Sequence, residues 1–401
     1  MNLIKWAAAF VLTMGIAIPT VVHAKAKSKT EDFANRTYSF KEIDERLVAT
    51  SPLFRFDSGH TFEYPDAVRG IYVTGHSAGG AKFSKLVDLM GSTDLNAMVI
   101  DIKDDYGNLT YIPADDSPLK KLDIGKPYIK DPNAMLKEMA DKEIYPIGRI
   151  VVFKDSVLAE KRPDLSFTDG DKVWRNGRRE AFVNPFMKEV WDHNVEIAIE
   201  AAKMGFQEIQ FDYVRFPEGF EKRHDQLSYT FEDYKDSDLD PVKRRVDAIT
   251  DFVEYAREQL KPYGVEVSVD IFGYAATIEE APGIGQNFSR ISENVDVISS
   301  MIYPSHWTSY FGVAKPDLEP YKVVSEYAKV ENDVLGGLKA PPVSRPWIQD
   351  FSAPWLGSGN YLTYGKAEVD AQIKALKDNG INEYLLWNAN NTYTSGVNYK
   401  P

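Results

Sequence analysis

Four apolar, strand-like runs of this chain end in carboxylates, and helix-like sequence separates each run from the next. The runs cover residues 97–107, 208–219, 265–275 and 345–351. Carboxylates at the C-terminal ends of several parallel strands are how a (β/α)8 barrel builds an active site. The pattern therefore predicts a barrel enzyme that acts on neutral, hydroxyl-rich substrates, with glycans first among them.

Strand-like and helix-like segments alternate regularly from Val68 onward, which predicts a parallel barrel enclosed by helices. The eight predicted strands cover residues 69–74, 97–103, 147–153, 208–214, 265–272, 297–303, 346–351 and 383–387. The predicted helices cover residues 81–90, 133–142, 242–260, 323–330 and 367–377. A further helix is predicted to begin at Asn184-Pro185, with Asn184 as its N-cap. The eighth strand has no helix after it, so we expect the N-terminal lead-in to fill that place.

Connection lengths support the barrel independently. Links from a helix to the next strand are mostly short, whereas three links from a strand to the next helix are long: 154–184, 217–241 and 304–320. Long loops gathered at one end of a barrel form its functional face. A doubly wound sheet is the alternative, but it would carry a glycine-rich phosphate loop, which the sequence lacks. The predicted fold class is α/β, a (β/α)8 TIM barrel with long βα loops and an N-terminal extension.

The N-terminus has the features of a cleaved signal peptide. Lys5 supplies a positive start, residues 6–18 are apolar, and small residues precede the expected cleavage after Ala24. A cleaved signal peptide is favoured over a retained signal anchor, because the apolar run is short for a membrane span. We therefore expect a secreted or periplasmic protein that keeps no stable membrane anchor. The expected division of the chain is a signal peptide at 1–24, an N-terminal extension at 25–65 and the barrel at 66–401.

Composition excludes several classes of function. The 60 acidic residues outnumber the 47 basic ones, and the net charge of −13 argues against a nucleic-acid partner, because phosphate binding needs a basic face. The chain has no cysteine, so disulfides, thiolate metal sites and cysteine nucleophiles are excluded. The alternating carboxylates at 236–240 lack the glycine and the later glutamate of a calcium loop. We expect no metal and no cofactor, and the oligomeric state stays open.

Strand alternation places the candidate catalytic carboxylates inside the barrel. Asp212 and Asp270 each share a strand face with polar residues, while the apolar residues of those strands occupy the other face. Glycoside hydrolysis needs two carboxyl groups, one ionised and one protonated, and neighbouring strand ends suit the close separation of a retaining enzyme. We predict Asp212 as the nucleophile and Asp270 as the general acid/base. Asp350 is the alternative acid or a transition-state stabiliser.

Other residues near the strand ends are candidate substrate ligands, because aromatic faces stack on sugar rings and polar groups bind hydroxyls. Asp101 and Lys103 are expected to share the inward face of their strand, where a role in the site and an internal ion pair are both open readings. Trp347 is expected to belong to the core. The candidate substrate-binding residues are Asp101, Lys103, Asp104, Gln210, Arg215, Tyr303, His306, Trp307, Gln349 and Trp387.

Two other functions stay open at this point. A degenerate barrel could bind a glycan without cleaving it. Residues 75–79, Gly-His-Ser-Ala-Gly, also match the nucleophile elbow of serine hydrolases and lie between a predicted strand and a predicted helix. This segment follows the first predicted strand, whereas an α/β-hydrolase has several strands before its nucleophile. The sequence also lacks the oxyanion loop that those strands carry. We therefore predict that Ser77 is not a nucleophile, and a serine esterase is the less favoured function.

Several of these segments together resemble a bacterial family of TIM-barrel glycoside hydrolases that is catalogued as a domain of unknown function. The matching segments are residues 70–75, 99–105, 205–217, 268–273, 301–306 and 346–351. The most specific of them is Phe-Asp-Tyr-Val-Arg-Phe-Pro at 211–217. The resemblance spans nearly all of the chain after residue 66 and implies a barrel with a glycan substrate.

The layout is also similar to that of the α-amylase group, which carries carboxylates after strands four, five and seven. Asp212, Asp270 and Asp350 occupy those positions. Two residues depart from that group's pattern: Asp270 stands where the group has glutamate, and Gln210 stands where it has an arginine two residues before the strand-four aspartate. The resemblance therefore implies the positions of the carboxylates but not the details of their chemistry.

Overall fold

The computed structural model describes residues 56–235 and 240–400. The expected signal peptide and the first part of the N-terminal extension lie outside the described residues, as do positions 236–239 of the acidic segment. Everything below concerns the described ranges.

Eight parallel strands form a closed barrel, as predicted. The strands are β1 Arg69–Val73, β2 Ala97–Lys103, β3 Tyr145–Val151, β4 Glu208–Asp212, β5 Glu266–Phe272, β6 Val297–Met301, β7 Trp347–Gln349 and β8 Tyr384–Trp387. Each strand pairs in parallel with the next, and β8 pairs with β1. The pairing of Trp347 on β7 with Met301 on β6 completes the ring. The predicted TIM barrel is therefore confirmed, with strand boundaries shifted by a few residues.

Helices cover the outside of the barrel. They are α1 Lys82–Gly91, α2 Pro132–Asp141, α3 Lys188–Met204, α4 Pro241–Leu260, the short α5 Phe288–Ser292, α6 Pro320–Gly336 and α7 Lys366–Asp378. Their apolar faces pack on the outward strand residues in one large core, in which the strand side chains Ile71, Ile209 and Val269 are fully buried. A run of apolar residues at helical spacing therefore gave a correct prediction for each of the longer helices.

The start of α3 differs from the prediction. Asn184 was expected to cap this helix, yet the helix begins at Lys188 and follows Met187. The Asn184 side chain instead accepts a hydrogen bond from the Phe186 amide and donates one to the Thr230 carbonyl. Asn184 is therefore used to fix a turn and a long loop, because its side chain can bond to backbone groups outside a helix.

Segments outside the repeat pack on the barrel at two places. At the N-terminal end, Tyr64 of the lead-in lies 5.2 Å from the Tyr145 ring and donates to Glu383. The gap after β8 is covered by the C-terminal segment, in which Tyr399 is buried and its carbonyl accepts from the Tyr384 hydroxyl. The described part of the lead-in therefore does not replace the missing helix, because the C-terminal segment already fills that place.

A register shift on β2 redirects one side chain. Asp101 pairs with Arg149 of β3, but Lys103 pairs with Ile150, and the shift lies between these two positions. An extra residue in one strand breaks the simple alternation of faces. Asp101 therefore points into the barrel, whereas Lys103 points outward toward α3.

Candidate active site

Asp212 and Asp270 lie side by side at the C-terminal end of the barrel. Asp212 is the last residue of β4, and Asp270 lies near the end of β5. The two strands pair with Phe211 opposite Val269, so the next residues in register are the two aspartates. Both side chains are buried and both occupy the inward face, as strand alternation predicts.

Asp212 forms an ion pair with an arginine from the neighbouring strand. Arg149 on β3 donates to one Asp212 oxygen through Nε at 3.0 Å and Nη2 at 2.6 Å. The other oxygen accepts the Tyr213 amide at 2.6 Å, and Tyr213 has the left-handed φ of 53°. Such strain in a non-glycine residue is typical of functional sites. Charge-assisted hydrogen bonds of this kind stabilise the ionised carboxylate that a nucleophile needs.

Asp270 has the opposite environment. Burial and the negative charge of Asp212 raise the pKa of Asp270 well above its usual range, although Arg149 and a hydrogen bond from Trp347 act to lower it. The Trp347 indole Nε1 donates to Asp270 at 2.7 Å. Burial and the charge of Asp212 therefore favour the protonated form of Asp270. The two neighbouring carboxyls have opposed environments, which is the arrangement that assigns acid and base roles.

Arg149 also holds a third carboxylate. Its Nη1 donates to Asp101 at 2.7 Å, and the Tyr72 hydroxyl donates to the other Asp101 oxygen at 2.6 Å. Burial raises the pKa of Asp101 to about 7, against the opposing effect of Arg149. The guanidinium lies 5.4 Å from the centres of both the Tyr72 and Trp387 rings. Arg149 thus links the carboxylates of β2 and β4 beneath an aromatic wall.

Arg149, Tyr72 and Trp347 were not among the predicted site residues. The α-amylase group has an arginine two residues before its strand-four aspartate, where this chain has Gln210. The guanidinium beside Asp212 is supplied instead by Arg149 on β3. The available signal was the inward face of β3, where Arg149 follows Tyr145 and Ile147 at a spacing of two. A buried arginine on such a face requires a carboxylate partner.

A second group of charges surrounds the mouth of the barrel. Lys154 binds Asp105 at 2.6 Å and lies 3.8 Å from the centre of the Tyr213 ring. Burial acts to raise the pKa of Asp105, but Arg149 and Lys154 outweigh it and lower that pKa to about 2. Arg215, a predicted ligand, lies 4.7 Å from the Tyr213 ring centre and is buried. These residues border the β4 side of the mouth.

The predicted aromatic ligands form a connected group on the other side. Trp387 stacks on Tyr72 at 4.1 Å with an interplanar angle of 17°, and Tyr303 lies 6.4 Å from Trp387. The His306 ring lies 5.2 Å from Tyr303. Trp307 packs 5.2 Å from Phe311 at the edge of the main core. Tyr303 and Trp387 therefore line the mouth near the carboxyl pair.

Two predicted ligands of the β2 segment have structural partners instead. Lys103 is fully buried outside the barrel, where it binds Asp155 at 2.6 Å and Asn194 at 2.8 Å. The register shift after Asp101 explains why the prediction of a shared face was wrong. Asp104 accepts backbone hydrogen bonds from residues 106, 107 and 108, and it thereby folds the loop after β2.

The predictions for Gln210 and Gln349 as substrate ligands are also wrong. Gln210 is fully buried one layer below Asp212, where its amide donates to Ser299 at 3.3 Å. Gln349 is fully buried and joins Ser305 to Asp317 in the loop after β6. Neither side chain has exposed surface at the mouth of the barrel.

Asp350 does not have the environment of the other two carboxylates. One of its oxygens accepts the Thr394 hydroxyl at 2.5 Å and the other accepts the Thr394 amide at 2.9 Å. Its backbone carbonyl accepts from Asn388 at 2.5 Å. Asp350 therefore ties the C-terminal segment to the end of β7. Burial raises the pKa of Asp350 against the two hydrogen bonds from Thr394. Its role as an alternative acid stays a prediction.

Ser77 of the nucleophile-elbow sequence has local structural partners. Ser77 lies in a helical turn, Gly75–Ala78, and its amide and hydroxyl both bond to Thr74, which caps that turn. Across residues 56–235 and 240–400, no group of three or more histidine, cysteine or carboxylate side chains is arranged to hold a metal ion. In the same ranges, no helix combines the length and the apolar character of a membrane span.

Comparisons with known structures agree with the barrel. The glycoside hydrolase domain of PgaB (BpsB) from Bordetella bronchiseptica is similar over 80% of this chain and 94% of that domain, with 15% identity and a TM-score of 0.53. At this identity the similarity shows the fold alone. A hypothetical protein from Ruminiclostridium thermocellum is 34% identical over 50% of this chain and 96% of its own, with a TM-score of 0.43.

An α-amylase from Lactobacillus plantarum also matches, with 13% identity over 80% of this chain and 70% of its own and a TM-score of 0.49. A comparison with curated proteins finds no match. The model of the family described as "Putative glycosyl hydrolase domain" matches residues 70–393, which contain all eight strands of the barrel except Arg69. The chain therefore belongs to that glycosyl hydrolase family.

Proposed function

We propose that this protein is an exported glycoside hydrolase that cleaves a polysaccharide or cell-wall glycan by a retaining mechanism. The observation that carries the proposal is the opposed environment of two neighbouring carboxyls. Asp212 accepts two hydrogen bonds from Arg149, whereas burial and the charge of Asp212 raise the pKa of Asp270. One ionised and one protonated carboxyl are what a glycosidase needs.

In the first step, the Asp212 carboxylate attacks the anomeric carbon while Asp270 gives its proton to the glycosidic oxygen. The bond from the anomeric carbon to that oxygen breaks, the shortened glycan leaves, and a glycosyl ester with Asp212 remains. In the second step, Asp270 removes a proton from water as the water oxygen attacks the anomeric carbon. The ester bond breaks, and Asp212 is released as a carboxylate with Asp270 protonated again.

The aromatic residues of the mouth are suited to bind the sugar chain. Tyr303 and Trp387 lie beside the carboxyl pair, and Trp355 in the loop after β7 stacks 6.0 Å from Phe351 with 64% of its surface exposed. An exposed indole with one face free is a platform for a sugar ring. The mouth thus offers binding surface beyond the reacting sugar.

Export is part of the proposal. It rests on the positive start at Lys5, the apolar run at 6–18 and the small residues before Lys25. Cleavage after Ala24 would release the protein to the periplasm or the medium. Mass measurement of the N-terminus of the protein purified from the expressing bacterium would test this, and a mature chain that keeps Met1 would contradict it.

The enzymatic proposal is tested by reducing-sugar release across a panel of bacterial and plant polysaccharides. On a substrate found in this way, we expect Asp212→Asn to lower kcat by about 10⁴-fold or more while binding persists, as for loss of a nucleophile. Asp350→Asn is the matched control, since Thr394 holds both of its oxygens. Retained turnover in Asp212→Asn, or binding without cleavage by the wild type, would contradict the proposal, the latter in favour of a glycan-binding protein.

The stereochemistry has its own measurement. Proton NMR of the first products reports whether the released anomer has the configuration of the substrate, as a retaining mechanism requires. Inversion of the anomeric configuration would still show a glycosidase. Asp212 would then act as the general base on water rather than as the nucleophile.

A further inference from the structure

A small cavity lies at the C-terminal end of the barrel, between the loops after β3 and β4. Its volume is about 210 Å³, and it is bordered by Arg178 and Glu180 of the loop after β3 and by Tyr213, Arg215 and Glu218 of the loop after β4. Tyr213 follows Asp212 in the chain. The cavity wall therefore begins one residue after Asp212.

The carboxylates of this cavity already have cationic partners. Glu180 lies 3.6 Å from Lys154 and accepts the Asn176 amide at 2.7 Å. Glu218 accepts from Arg215 at 3.2 Å. The Arg178 guanidinium, by contrast, is exposed and forms no hydrogen bond or ion pair with any described residue. The cavity therefore has one uncommitted positive charge.

The charge of Arg178 also acts on the loop after β6. Burial and the positive charge of Arg178 lower the pKa of His306, which belongs to the loop after β6. Arg178 itself belongs to the loop after β3, and β4 and β5 lie between these two strands. Arg178 and His306 therefore lie within electrostatic reach of each other, at the end of the barrel that carries Asp212 and Asp270.

We propose that Arg178 binds a carboxylate on the sugar beside the catalytic pair, so that the preferred substrate is an acidic glycan built from uronic acids. This inference rests on the proposed glycosidase function. The guanidinium forms two parallel hydrogen bonds with a carboxylate, which selects it over a neutral hydroxymethyl group. Arg215 adds a second positive charge to the wall, held between the rings of Tyr213 and Phe272 at 4.7 Å from each centre.

The test compares polyuronates with their carboxyl-reduced counterparts, which keep the linkage and lose only the charge. The panel includes polygalacturonate, polyglucuronate and alginate, together with unrelated neutral polysaccharides. For at least one pair we expect kcat/KM to be ten- to hundredfold higher for the acidic form, as for one charge-assisted pair. In Arg178→Gln we expect that preference to disappear, through loss of activity on the acidic form alone.

Arg179→Gln is the matched control. Arg179 is the next residue of the same loop, carries the same charge, is exposed and is not part of the cavity wall. We expect this variant to keep the preference within twofold. An equal loss in both variants would show a general charge effect and overturn the assignment to Arg178.

The remaining outcomes separate this inference from the proposed function. If neutral or carboxyl-reduced polymers are cleaved at least as fast as acidic ones, the inference of an acidic substrate is wrong. The proposed glycosidase function would still hold in that case. Cleavage of no polymer in the panel, acidic or neutral, would count against both.

Discussion

The Trp347→Phe substitution tests the state of Asp270 directly. The Trp347 indole donates a hydrogen bond of 2.7 Å to Asp270 at a fully buried position. This bond stabilises the ionised form of the acid and therefore lowers its pKa. Phenylalanine keeps an aromatic ring in the barrel but has no donor. We expect the pKa of Asp270 to rise further in the variant.

The size of the effect follows from one hydrogen bond to a charged group. Such a bond contributes about 1.5–3 kcal/mol, and one pKa unit corresponds to about 1.36 kcal/mol. The basic limb of the kcat/KM profile reports loss of the proton from the free enzyme's acid. This limb should move to higher pH by about 1 to 2 units. The smaller ring should also reduce stability, on the order of 1–3 kcal/mol.

The assay is kcat/KM as a function of pH on a substrate identified by the panel, with thermal unfolding measured on the same samples. Trp387→Phe is the control, since Trp387 stacks on Tyr72 at 4.1 Å in the same aromatic group. This variant should leave the basic limb in place, whatever happens to the rate. A limb that stays fixed or moves to lower pH in Trp347→Phe would refute Asp270 as the acid.

Three further predictions follow from individual contacts. Asp270→Asn should raise the melting temperature at pH 7, because the native state holds a proton that the unfolded state releases; the gain should fade as pH drops toward the unfolded pKa of about 3.9. Lys103→Met should destabilise by about 3–5 kcal/mol in denaturant unfolding, because Asp155 is left buried without its cation, while Lys103→Met with Asp155→Leu recovers much of the loss. Asp350→Asn should keep kcat within about tenfold but loosen the C-terminal segment at Thr394, which hydrogen exchange would detect.

The alternation of strands and helices was predictable because it depends on the spacing of apolar residues within each segment. Apolar residues at a spacing of two defined the faces of β4 and β5, and those at a spacing of three and four defined α4, which the structure places at Pro241–Leu260. Asp212 and Asp270 followed from the same alternation. The sequence therefore sufficed for the architecture and for the location of the carboxyl pair.

The partners of these residues were less predictable, because they depend on register and on contacts between distant segments. One register shift on β2 turns the Lys103 side chain outward. Asp101 then binds Arg149, which is 48 residues away in the chain. Thr394 reaches Asp350 from the C-terminal segment across a separation of 44 residues. Neither contact leaves a periodic pattern, so neither the Arg149 partner of Asp101 nor the Thr394 partner of Asp350 could be predicted from the sequence.

The structure also suggests how one carboxyl can serve as acid and then as base. The pKa of Asp270 is raised by burial and by the negative charge of Asp212. In the glycosyl ester that charge is gone, while Arg149 remains and continues to favour the ionised form of Asp270. The pKa of Asp270 should therefore fall when the ester forms, so that the residue that gave a proton in the first step can accept one from water in the second. Asp212 thus acts both as the nucleophile and as the charge that sets the proton affinity of its neighbour.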